Sequence, residues 1–114
     1  MGVQSMRKTK VYIKDILKSC EKIMDYSKDK NYNDFKDNEM LQDAIIINLE
    51  IIGEAVKNIP SEIRDNYSNI EWRKIAGLRD VLINDYFGVD LEIVWNIIEN
   101  KIPKLKITME DILK

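Results

Sequence analysis

From Thr9 to about Ser27 the apolar residues Ile13, Ile16, Leu17, Cys20, Ile23 and Met24 recur at steps of three and four, the spacing of one buried helix face. The polar segment Lys28 to Asp37 breaks this period and leads to Asn38, an N-cap for a second helix expected to run to about Asn58. The middle of that helix, Ala44-Ile45-Ile46-Ile47-Asn48-Leu49-Glu50-Ile51-Ile52, is apolar nearly all round. It predicts burial on two sides, against neighbouring helices or another subunit. Pro60 ends it, and Ser61 offers a cap for a short helix through Tyr67. Asn69 is the expected cap of a helix carrying Trp72, Ile75, Leu78 and Leu82, closed by Gly88. Asp90 then caps a last long helix with apolar positions from Leu91 to Ile112, which Pro103 should kink without ending. The pattern predicts an all-α, up-and-down bundle of four main helices plus a short connecting helix.

Composition narrows the function classes. The chain of 114 residues has 45% hydrophobic and 33% charged residues, as expected of one globular domain over residues 6–114. Met1 to Ser5 is polar and outside every periodic pattern, and is read as a disordered start or an expression remnant. The formal net charge of -2 gives no global attraction to nucleic acid or anionic membrane, so any RNA contact has to be local. No apolar run reaches membrane-spanning length and no secretory signal is present, so a cytoplasmic protein is expected. Cys20, the single cysteine, falls in the first apolar stripe and reads as a reduced core residue.

The chain has no histidine, which removes the usual zinc sites and the Ser/His and Cys/His nucleophile pairs. Its four glycines are scattered and form no phosphate-cradling loop. The acidic pairs Asp34/Asp37 and Glu110/Asp111 read as solvated surface, so neither metal nor cofactor is expected. Lys10, Lys14, Lys18 and Lys22 make a basic stripe along the first helix. It is either a solvated face or a track for a phosphate backbone.

Arg79 is one of only four arginines and lies beside Leu78, Val81, Leu82 and Ile83. Two readings are open for it: an ion pair with Asp80, Asp85 or Glu54, or a planar fork for a phosphate whose charge grows in a transition state. Tyr86 shares the ideal-helix azimuth of Arg79, whereas Asn84 is turned about 140° away, so one straight helix would not close a compact site around all three.

With Ile52-Gly53-Glu54-Ala55, Trp72-Arg73-Lys74-Ile75-Ala76-Gly77-Leu78-Arg79-Asp80, Tyr86-Phe87-Gly88-Val89-Asp90 and Val94-Trp95 in this order, the chain resembles the HEPN superfamily, specifically its HepT-type ribonuclease toxins. The family signature is Arg, four residues, His, one residue, Tyr. Arg79 and Tyr86 match it, and Asn84 stands at the histidine position. The resemblance implies a homodimer joined through the signature helix, with a composite, metal-free RNA-cleaving site. Arg79 would hold the scissile phosphate and position 84 would handle the proton of the ribose 2′-hydroxyl or the leaving oxygen. As structural readings apart from the resemblance, Glu54, Asp80 and Asp85 would support Arg79, and Gly53 would allow close helix packing. The resemblance also implies a small nucleotidyltransferase antitoxin that adds AMP to Tyr86. An asparagine cannot shuttle a proton, so the resemblance implies a crippled endoribonuclease. Asn84 is then either an introduced silencing substitution or the mark of a naturally non-catalytic partner or scaffold of a nucleotidyltransferase.

Overall fold

A computed structural model describes residues 3–84 and 90–114, with side chains described at 7–78, 82 and 90–114. Among these residues there are seven helices and no strand: α1 (Val3–Ser27), α2 (Tyr32–Lys36), α3 (Glu39–Val56), α4 (Ser61–Asn66), α5 (Trp72–Asn84), α6 (Leu91–Asn100) and α7 (Ile102–Ile112). The four expected main helices correspond to α1, α3, α5 and the α6/α7 pair, and α4 is the short connector. The first helix starts at Val3, ahead of the expected Thr9.

α3 lies between α1 and α5, and α1 also packs along α7. Ile13, Ile16, Cys20 and Ile23 from α1, Ile45, Leu49, Ile52 and Val56 from α3, and Leu105 and Met109 from α7 are fully buried and form one continuous core. Each buried isoleucine or leucine contributes about 1.5–3 kcal/mol of transfer free energy, which is what holds these amphipathic faces together. The expected burial of α3 on two sides is present, against α1 and α5. Its third side leaves Met40, Ile47 and Ile51 exposed at 83%, 56% and 42%.

Four local expectations are corrected. The segment between the first two long helices is not all connector: Asn31 and Asp34 form a reciprocal capping box that starts α2. Phe35 of α2 is completely buried against Trp95, ring centroids 5.4 Å apart, and the Gln42 side chain donates to the Phe35 and Lys36 carbonyls at 3.0 and 2.9 Å. At α4 the N-cap is Pro60, with no side-chain cap bond, so Ser61 is the first helical residue and not the cap. α5 begins at Trp72, beyond the cap expected at Asn69. Finally, the last helix is two helices, separated at Lys101 (φ -105, ψ -40). Pro103 sits in the first turn of α7, where its missing N–H costs no intrahelical bond, so the chain breaks there instead of bending. The caps expected at Asn38 and Asp90 are present, accepting from Leu41 N at 3.0 Å and Glu92 N at 2.9 Å. Gly88, the expected end of the signature helix, lies outside the described residues.

Candidate functional site

The helix that carries the signature is fastened at its start. Trp72 is buried, and its indole N–H donates to the Tyr67 carbonyl at 3.0 Å. The Tyr67 hydroxyl in turn donates to Asp111 Oδ2 of α7 at 2.8 Å, a bond that raises the Tyr67 pKa above its ordinary value. Behind it, the Arg64 guanidinium donates to the Val56 and Ile59 carbonyls at 2.7 and 2.9 Å and satisfies acceptors left at the end of α3. Further along α5, Leu82 is buried at 2% exposure, so the helix is seated on the core at both ends of its described side chains.

The backbone places Arg79, Asp80 and Asn84 on α5. Asp85 and Tyr86 lie outside the described residues, as do the side chains of Arg79, Asp80 and Asn84. Helix geometry puts positions 79 and 84 about 7.5 Å apart along the axis and about 140° apart around it. Position 79 has the azimuth of Trp72, one heptad earlier. Position 84 has that of Gly77. One copy of α5 does not present both positions on one face. Glu54 is exposed near the end of α3, the helix packed against α5, and its backbone carbonyl accepts from the Asn58 side chain at 3.1 Å. Gly53 is buried.

Gly77 is half-buried, and a Cβ added there would meet nothing within 4 Å. Packing inside the chain therefore does not require a glycine at this position, although one costs about 1 kcal/mol relative to alanine in a helix interior. At Gly77 itself there is room for close approach by another molecule.

The electrostatic group at this end of the bundle was not legible in the sequence. Glu71, just before α5, accepts from Lys101 at the α6/α7 break and pairs with Lys74 one turn on, each at 2.7 Å. Hydrogen bonds from Lys101 and then Lys74 hold its carboxyl down at about 2, from an ordinary 4.5. Because the folded value is the lower one, the contribution of Glu71 to stability is complete above about pH 4.5 and is lost as the pH falls toward 2. A carboxyl-carbon NMR titration is expected to place the Glu71 midpoint near 2 and to find it moved upward in Lys101→Ala; a midpoint near 4.5 in the unaltered protein would contradict the network.

Other sequence candidates resolve toward plain structure. Lys10, Lys14, Lys18 and Lys22 are all exposed, and the same surface of α1 carries Asp15, Glu21 and Asp25, so the face is of mixed charge. Cys20 is buried, and desolvation pushes its thiol up to about 12, which leaves almost no nucleophilic thiolate at neutral pH. No three acidic or cysteine side chains among the described residues gather into a metal-holding group. None of the described helices is long and apolar enough to cross a membrane. A buried polar residue that periodicity had absorbed into the core is Asn48: its amide donates to the Ala44 carbonyl at 2.8 Å, while its Oδ1 has no partner among the described residues.

Fold and site together define an α-helical bundle whose fifth helix carries an Arg-x4-Asn pair on two different faces. The chain belongs to the HepT-like ribonuclease family, which it matches over residues 16–112. It is 51% identical over 110 residues to a Methanocaldococcus jannaschii protein named as a gamma-glutamylcyclotransferase and candidate RNase, covering 96% of this chain and 48% of that one. A candidate RNase of Caldanaerobacter subterraneus subsp. tengcongensis is 41% identical over 109 residues, covering 96% of this chain and 97% of the relative. A "Probable ribonuclease HepT" of Thermococcus cleftensis is 40% identical over 108 residues, covering 95% and 98%. The chain thus spans about half of the first relative and nearly all of the other two. No solved structure gives a significant match.

Proposed function

We propose that this chain is a metal-independent endoribonuclease toxin, cytoplasmic and homodimeric, whose cleavage is crippled by Asn84. The observation that carries the reading is the pair of positions 79 and 84 on one helix, in signature order, within a chain of the HepT-like ribonuclease family. Arg79 binds the scissile phosphate and stabilises the charge that accumulates there. The residue at 84 is placed to take the ribose 2′-hydroxyl proton or return one to the leaving oxygen, and an amide can hydrogen-bond at either atom without moving a proton. Because the two positions are about 140° apart on one helix, the site is completed by a second copy of α5, so that Arg79 of one protomer works with position 84 of its partner. The room at Gly77 and the exposed Met40, Ile47 and Ile51 support burial against another chain.

The regulatory partner is a minimal nucleotidyltransferase. The Tyr86 oxygen attacks the α-phosphorus of ATP, pyrophosphate leaves, and the new aryl phosphodiester carries a negative charge into the neighbourhood of Arg79, where it competes with RNA. Glu54, Asp80 and Asp85 are assigned as supporting carboxylates for the arginine. Asn84 itself favours a second reading, in which the chain is a natural, non-catalytic scaffold for the nucleotidyltransferase. One experiment separates the two. Asn84→His is incubated with RNA in EDTA beside the same variant carrying Arg79→Ala, and the unaltered protein is treated with the nucleotidyltransferase and ATP and weighed by mass spectrometry. The toxin reading expects cleavage only with Arg79 present and an AMP adduct on Tyr86; an inert Asn84→His protein leaves the scaffold reading.

A further inference from the structure

A groove of about 220 Å³ lies where the start of α5 meets the α6/α7 break. Its floor is apolar, made by Ile70, Ile75, Leu78 and Ile97. Asn69, Glu71, Lys74, Lys101 and Lys104 are its polar lining residues. Glu71 is engaged by two of these lysines, which leaves three ammonium groups against one carboxylate. Among the described residues Lys104 has no acidic partner, and its side chain borders the groove. In a chain of formal net charge -2, a cationic rim around an apolar floor is a local reversal of sign, the form that attraction for a polyanion has to take here.

The volume is below the usual 300–1,000 Å³ or so of a drug-sized ligand site, which suits one small group, and the lysines along it suit an anionic one. The groove also lies close to the signature along the chain: Leu78 lines it and is the residue before Arg79. Ile75 on its floor is about 6 Å along the axis from position 79. A ribonucleotide has the required parts: a base face for the isoleucine and leucine floor, base-edge donors and acceptors for the Asn69 amide, and a phosphate for Lys104 and its neighbours.

We propose that this groove is a substrate subsite, holding one nucleotide of the RNA strand beside the phosphate gripped at position 79. The assignment rests on the ribonuclease reading and adds to it a place where the strand is read away from the cutting residues. Lys104 supplies a phosphate contact, and Asn69 biases the choice of base.

The test uses the full-length protein with Asn84 in place and a fluorescein-labelled 2′-O-methyl oligoribonucleotide that cannot be cut, its binding followed by anisotropy from low to moderate salt. Lys104→Glu is expected to weaken binding about tenfold and to lower the slope of log K against log salt by about 0.7, the value for one single-strand phosphate contact. Lys18→Glu, the same charge change on the mixed-charge face of α1, is expected to stay within about twofold. Asn69→Ala should alter the preference among oligonucleotides that differ at one base while keeping the salt slope. Equal weakening by Lys104→Glu and Lys18→Glu would reduce the groove to general electrostatics and overturn the subsite. An unchanged affinity and slope in Lys104→Glu would also overturn it; if Asn84→His still cuts RNA in an Arg79-dependent way, the nuclease reading survives that failure. Binding of free AMP at Ile75 and Leu78, seen by NMR and not displaced by the oligonucleotide, would replace the RNA strand with a mononucleotide ligand and likewise sink the proposal.

Discussion

Replacing Asn84 by histidine is expected to raise the rate of RNA cleavage about 10²–10⁴-fold, the usual worth of a positioned general acid or base. The argument is chemical. Attack by a ribose 2′-hydroxyl needs a group that accepts a proton as the oxygen becomes nucleophilic, and expulsion of the leaving oxygen needs one that returns it. An imidazole with an unperturbed pKa near 6.5 does either at neutral pH, whereas a carboxamide does neither. The gain should therefore bring its own signature: a pH-rate profile bending near the imidazole pKa, absent from the residual activity of the unaltered chain. Arg79→Ala in the histidine background removes the gain, because phosphate binding and charge stabilisation are lost together. A pH-independent rate in Asn84→His would show that position 84 is not where the proton moves.

The largest effect on stability is expected at Phe35. Its side chain is fully buried, and its ring lies against Trp95. Truncation to alanine removes the contact that fastens α2 to α6 and leaves a cavity that the surrounding helices fill only in part, at a cost of about 3–5 kcal/mol. In a domain of ordinary stability, about 5–15 kcal/mol, that is a large share of the total. Urea unfolding should show a lowered midpoint at a similar slope; a loss below about 1 kcal/mol would mean that α2 contributes little to the native state. The effect is notable because Phe35 belongs to the segment whose polar composition predicts a loop.

That contrast shows what could be learned from the chain alone. The helices α1 and α3 were legible because a buried face at steps of three and four repeats over many turns, and Asn38 and Asp90 were legible because a cap is a local event. The short α2 was hidden by scale: five residues contain one buried side chain and no period. The Asn31-x-x-Asp34 spacing was the available signal for it. Pro103 marks a disturbance in the sequence, but whether proline bends or breaks a helix depends on how neighbouring helices seat the two halves. The proposed site is legible only as a family pattern, in Arg79 and Tyr86 with Asn84 between them, because motif order is a one-dimensional property. The groove was not. Glu71 and Lys101 are 30 residues apart, and nothing local to either announces their pairing or the apolar floor between them.

Asn84 is central to the proposal that the site needs two copies of α5. The most direct test mixes two proteins that are each expected to be nearly inactive: the chain as it stands, with Arg79 and Asn84, and a double variant carrying Arg79→Ala and Asn84→His. After denaturation and co-refolding to exchange protomers, a composite site pairs the arginine of one chain with the histidine of the other, and RNA cleavage in EDTA should rise well above that of either protein alone. Mixtures as inert as their components, while Asn84→His alone cuts RNA, would place the whole site within one chain and contradict the account.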